Sequence, residues 1–116
     1  MIKQFDIFLV NFNPARGTMP GKIRPAVILQ SDILNKVHHP STIVVPLSSK
    51  SYENKATLLR IKIDPSELNG LKKTSFIVID QLTAVDNVKI IERIGTLNET
   101  IQQQIHTSLS AVLNLS

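Results

Sequence analysis

GKIRPAVILQ (residues 21–30) places an arginine at the mouth of an apolar run, with a proline directly behind it. Pro25 drives the residue before it out of the helical region, so Arg24 is expected in extended backbone, its guanidinium projecting from a defined position. The unbroken Ala-Val-Ile-Leu that follows suits a strand buried on both faces, because neither face carries polar residues for water.

Outward from this stretch the same pattern repeats. FDIFLVNF (5–12), RPAVILQ (24–30), TIVVPL (42–47), TLLRIKI (57–63), SFIVID (75–80) and KIIERIGTL (89–97) are short apolar runs separated by polar connections, the spacing of a small β-rich domain. Only TLLRIKI alternates, with Leu59, Ile61 and Ile63 on one face and Arg60 and Lys62 on the other, which predicts a half-exposed strand. Pro46 cannot donate to a ladder, so the third run is expected at a sheet edge or broken by a bulge. SDILNK (31–36) fits one helical turn, and ELNGLKK (67–73) a turn built on Asn69-Gly70. The last segment, NETIQQQIHTSLSAVLNL (98–115), is an amphipathic helix with Ile101, Ile105, Leu109, Val112 and Leu113 on one stripe. Asn98 as N-cap, or Thr96 with Glu99 as a capping box, would start it.

Composition frames the chain as one domain over residues 1–116: 42% hydrophobic and 19% charged residues, with no low-complexity tract, repeat or linker. The absence of cysteine excludes disulfides and thiolate metal sites and suggests a reducing compartment, the cytoplasm. MIKQFDIFLVNF (1–12) reads as a first strand and not as a signal peptide, and no segment approaches membrane-spanning length. Thirteen basic against nine acidic residues give a net charge of +4, which favours an anionic partner such as nucleic acid or an acidic protein segment.

The long connection NPARGTMPGKI (13–23) gathers glycines, prolines, Arg16 and Lys22 in one basic loop beside Arg24. A bland surface connection has the same composition, and a bland Arg24 makes a surface ion pair. A functional Arg24 is a fork able to bind a phosphate bidentately. Candidate phosphate contacts are Arg16, Lys22, Lys50 and Lys55, each of which singly reads as an ordinary solvated cation. Tyr52, in SSKSYENK (48–55), is the one aromatic placed to stack a base or simply to anchor its loop. One tyrosine and four phenylalanines are too few for an aromatic stacking platform. His38 and His39 are adjacent in a loop and His106 flanks the helix stripe. They read as surface histidines, and no further ligands at metal spacing accompany them, so no metal or cofactor is expected.

The order NFNPARGTMPGKIRPAVILQ (11–30), STIVVPLSSK (41–50), GLKKTSFIVIDQLTAVD (70–86) and RIGTL (93–97), closed by an amphipathic helix, resembles the MazF/PemK family of toxin endoribonucleases over essentially the whole chain. The resemblance implies a mostly-β, SH3-like barrel with a C-terminal helix, working as a homodimer. It implies metal- and ribosome-independent cleavage of single-stranded RNA, such as mRNA, at short motifs. It also implies a cognate antitoxin whose acidic segment covers the RNA groove. The family's catalytic arginine falls on Arg24, its serine or threonine on Ser48, and its Asp-Gln pair on Asp80-Gln81. Members that use this aspartate pair it with an arginine two residues earlier and a histidine in the first loop. Here those positions are Val78 and Thr18, so the Arg with Ser/Thr version of the mechanism is the one implied. The family's Ser-Glu-Gln of the first loop is Thr18-Met19-Pro20 here, which implies different loop contacts with RNA. Thr18, Ser49 and Gln81 join the basic residues as RNA-binding candidates.

Metal-free cleavage needs charge stabilisation on the phosphorane oxygens, which a fixed guanidinium supplies, and Ser48 with Ser49 can hold the phosphate or the 2′-hydroxyl by hydrogen bonds. Arginine stays protonated, so Arg24 is an electrostatic catalyst, and the general base is left open. Two other classes compete. Gyrase-poisoning toxins of the CcdB kind share the fold but end on a tryptophan-containing motif, whereas this chain has no tryptophan and ends AVLNLS. A noncatalytic RNA-binding barrel would carry much the same sequence.

Overall fold

The computed structural model describes residues 2–13, 22–50 and 58–115. Arg16, Thr18, Tyr52 and Lys55 lie outside the described residues. The apolar runs become strands β1 (Asp6–Asn11), β2 (Ile23–Ile28), β3 (Ser41–Ser48), β4 (Arg60–Ile63), β5 (Ser75–Val78) and β7 (Ile90–Thr96). A further short strand, β6 (Thr83–Asp86), was not legible as a run, because TAVD is too short and polar to stand out. The single helical turn α1 (Asp32–Asn35) and the C-terminal helix α2 (Glu99–Val112) complete the elements with two 3-10 turns.

All pairings are antiparallel, in the order β4-β5-β3-β2-β1-β7, with β6 also pairing to β3. Antiparallel neighbours follow from short connections, and two register shifts in the β1–β7 pair bend that flank of the sheet.

Side-chain alternation splits the core in two. Ile7, Val27, Val45 and Leu47 face one cluster, while Phe8, Val10, Ala26, Ile28 and Val44 face the other. Strands β1 to β3 are therefore buried on both faces, as their unbroken apolar runs predict. The first cluster is covered by α2 through buried Ile105, flanked by Ile101 and Leu109. Asn98 caps this helix, its side chain accepting a hydrogen bond from Ile101 N, and the alternative start at Thr96 is not used. The stripe outruns its cover: Leu113 is 53% exposed. In β4, Ile61 and Ile63 are buried and Lys62 exposed, the alternation read from TLLRIKI.

Pro46 corrects an expectation. It is neither at an edge nor at a bulge but fully buried in the central strand β3. Strand β3 pairs with β6 as far as Val44 and with β5 from Leu47, so Pro46 occupies the interval between the two partners. Leu29 and Gln30 donate to Ile43 O on the β2 side, and alternation points the Pro46 nitrogen the other way, where no ladder bond is required.

Candidate active site

Five strand ends converge at one end of the sheet: the C-termini of β1 and β3 and the N-termini of β2, β5 and β7. Arg24 stands here, in extended backbone as Pro25 requires, and half-buried. Val10 pairs with Arg24, Ala26 with Pro46 and Ser48 with Phe76. Carried two residues on, the β2–β3 register sets Arg24 opposite Ser48. Alternation then places Val10, Arg24, Ser48, Phe76 and Lys62 in one row on one face of the sheet, since Phe76 also pairs with Lys62. The row has apolar Val10 and Phe76 on either side of the Arg24–Ser48 pair, a partly dry setting in which a guanidinium acts more strongly on a phosphate than in water.

Ser48 Oγ accepts a hydrogen bond from Lys50 N at 3.2 Å, which orients the hydroxyl at the strand end. Alternation turns Ser49 to the opposite side. There it lines a cleft of about 480 Å³ with Leu9, Lys22, Ile23, Pro25 and Leu47, closed by Leu71, Lys72, Lys73, Glu92 and Ile94. Arg24 lies on the boundary of the cleft as well. Lys22 is held in left-handed backbone, φ +70°, by Asn13, whose Oδ1 accepts from Lys22 N at 2.6 Å, while Phe12 N donates to Lys22 O. This clasp brings Lys22 back beside Arg24.

Lys72 and Lys73 also line the cleft, a placement that GLKK, which reads only as a turn, does not disclose. Their position is set by Asn69, buried, whose Oδ1 accepts from Ser66 N and Leu71 N while Nδ2 donates to Asp64 O. Gly70, at φ +67°, lies so close to β7 that a Cβ there would meet Ile94 O at 2.0 Å. A lysine pair one residue after an Asn-Gly turn was the available signal. Lys62, exposed on the row, was also unassigned.

The structure does not bring Asp80 to Arg24 and Ser48. Asp80 lies beyond the far end of β5, in the 3-10 turn Ile79–Gln81, and is ion-paired and hydrogen-bonded to Arg60. It stands four positions beyond Phe76, two at the rise of a strand and two in the turn, on the order of 10 Å along the chain. Gln81 shares that distant turn. His38, His39 and His106 are exposed, and among the described residues no group of three or more His, Cys, Asp or Glu side chains could hold a metal ion. Among the described residues no helix is long and apolar enough to cross a membrane.

A family model described as PemK-like, MazF-like toxin of type II toxin-antitoxin system matches residues 3–113. The chain is 34% identical over 102 residues to a probable endoribonuclease MazF of Mycolicibacterium smegmatis, covering 88% of this chain and 90% of that protein. It is 28% identical over 116 residues to the endoribonuclease MazF of Staphylococcus saprophyticus, covering 99% and 93% of the two. Among solved structures, MazF from Deinococcus radiodurans superposes with a TM-score of 0.80 at 18% identity, covering 98% of this chain and 97% of that one. A mycobacterial endoribonuclease in complex with its cognate antitoxin reaches 0.79 at 15% identity, covering 100% and 98%. The mostly-β architecture with a C-terminal helix is thus that of the MazF toxins, and this chain belongs to the PemK-like, MazF-like toxins of type II toxin-antitoxin systems.

Proposed function

We propose that this chain is a toxin endoribonuclease that cuts single-stranded RNA at the Arg24–Ser48 pair. The observation that supports the reading is the half-buried Arg24 at the mouth of β2, beside a cation-lined cleft, with the β2–β3 register running toward Ser48. A substrate 2′-hydroxyl attacks the adjacent phosphorus. As the 2′-hydroxyl gives up its proton the new bond closes a 2′,3′-cyclic phosphate and the bond to the 5′-oxygen breaks, and that oxygen takes up a proton in its place and leaves as a 5′-hydroxyl. Arg24 stabilises the charge that grows on the nonbridging oxygens, and Ser48 positions the phosphate. Lys22, Ser49 and Lys50 bind the flanking backbone, together with Arg16, Thr18, Tyr52 and Lys55. Asp80 is assigned to holding Arg60, with Gln81 beside it, because its turn lies away from the pair. The protein acts in the cytoplasm as a homodimer of one toxin domain over residues 1–116. The acidic segment of an antitoxin silences it by competing for the same cations, in keeping with the antitoxin-bound relative.

The test is to incubate purified protein with a long single-stranded RNA in EDTA and map the ends. Wild type is expected to give 2′,3′-cyclic phosphate and 5′-hydroxyl ends. Arg24→Ala is expected to cut about 100- to 1000-fold more slowly, the scale of losing one transition-state donor, with Ser48→Ala also impaired. Intact RNA, or equal cutting by Arg24→Ala, would overturn the assignment.

A further inference from the structure

We propose that the cleft beside Arg24 is a base-reading subsite, in which the Glu92 carboxylate takes the N1–H and N2–H donors of a guanine flanking the cut. The inference rests on the endoribonuclease reading and adds a nucleotide preference to it.

The cleft has the volume of a small-molecule site: its roughly 480 Å³ lies within the usual range of about 300–1,000 Å³ and leaves room for one nucleoside. Its floor is apolar, formed by Leu9, Ile23, Pro25, Leu47, Leu71 and Ile94, a surface suited to the face of a base and not to a phosphate. Its charged lining divides by sign. Lys22, Lys72 and Lys73 supply cations, while Glu92 is the one carboxylate among the described lining residues. Glu92 is placed by its pairing with Leu9 across the β1–β7 ladder, so both side chains point to the cleft side of the sheet.

Among the described residues Glu92 makes no ion pair, although cations line the same cleft. A carboxylate at that place repels a phosphate and accepts from N–H groups, so what it recognises is a base edge. Guanine alone offers two neighbouring N–H donors on its Watson–Crick edge, matching the two oxygens of one carboxylate. Uracil presents one N–H between two carbonyl oxygens, both of which a carboxylate repels. The lysines then hold the phosphates on either side of the inserted base without reading its identity. Lys72 and Lys73 suit this because the Asn69-Gly70 turn that carries them is locked against β7, the strand that carries Glu92.

The test separates binding from cutting. Short 2′-fluoro RNA oligonucleotides, which cannot cyclise, differ at one position in G, A, C or U, and their affinity is read by fluorescence anisotropy. Wild type is expected to favour the guanine oligonucleotide over the uracil one by about 10- to 100-fold, the scale of one bidentate base contact. Glu92→Gln, checked for folding by circular dichroism, is expected to lose the preference. Lys72→Ala with Lys73→Ala is expected to weaken all four alike. No guanine preference in wild type, or an unchanged preference in Glu92→Gln, overturns the inference. Cleavage of a long RNA is mapped in parallel. A Glu92-dependent guanine preference without cleavage would uphold the subsite and sink the endoribonuclease reading. Arg24-dependent cleavage whose sites show no Glu92-dependent guanine would do the reverse.

Discussion

Arg24 and Asp80 both sit beside apolar runs, yet their surroundings differ. Pro25 holds Arg24 extended at the strand mouth, where register brings it to Ser48. Asp80 is turned out of β5 and is ion-paired with Arg60. Asp80→Asn is therefore expected to lower stability by about 0.5–1 kcal/mol, the worth of a partly exposed pair, and to slow cleavage by less than about 10-fold. Urea unfolding and initial rates on one RNA check both; a loss as deep as that of Arg24→Ala would return Asp80 to the catalytic centre. Asp32 offers a second residue-scale prediction. Hydrogen bonds from Gln4 N and from the Asn35 side chain, with the backbone bond the larger cause, hold its carboxyl below the ordinary 3.8. Since the folded-state value lies below the unfolded one, its stabilisation is complete above that range and is lost as pH falls through the lowered value. Urea midpoints taken between neutral pH and about pH 3 should fall less steeply for Asp32→Asn than for wild type.

At the scale of elements, a turn fixes one wall of the cleft. Asn69 gathers three backbone groups, and Gly70 lets the chain press against Ile94. Gly70→Ala meets two obstacles at once, a left-handed φ of +67° and a Cβ inside van der Waals contact with Ile94 O. A loss of about 2–4 kcal/mol is expected in urea unfolding, and an unchanged midpoint would show that the turn yields freely. The turn itself was legible from Asn-Gly. Its role in carrying Lys72 and Lys73 was not, because nothing local in ELNGLKK says which strand it abuts. Helix α2 was legible, with Asn98 one of two starts that the sequence allows, but the sequence could not say that its cover ends before Leu113.

For the molecule as a whole, charge and topology act together. The net charge of +4 is a property of composition, but its use depends on the sheet delivering Lys22, Arg24, Lys72 and Lys73 to one end. RNA affinity should therefore fall steeply as salt rises, with each phosphate contact adding about 0.7 to the log–log slope for a single strand. Lys72→Ala with Lys73→Ala should flatten that slope, whereas a flat response in wild type would remove the cationic end from RNA binding.

Some properties follow from the chain alone, because their causes are local. Apolar runs, proline geometry and helical periodicity act over a few residues, so six of the seven strands among the described residues, the extended Arg24 and the amphipathic α2 could be read directly. The order of strands, the seating of Pro46 between two partners, the separation of Asp80 from Ser48 and the sharing of one cleft by Glu92 and Gly70 could not. Each depends on which strands pair and in what register, a choice made by burial on both faces of one sheet among residues far apart in sequence.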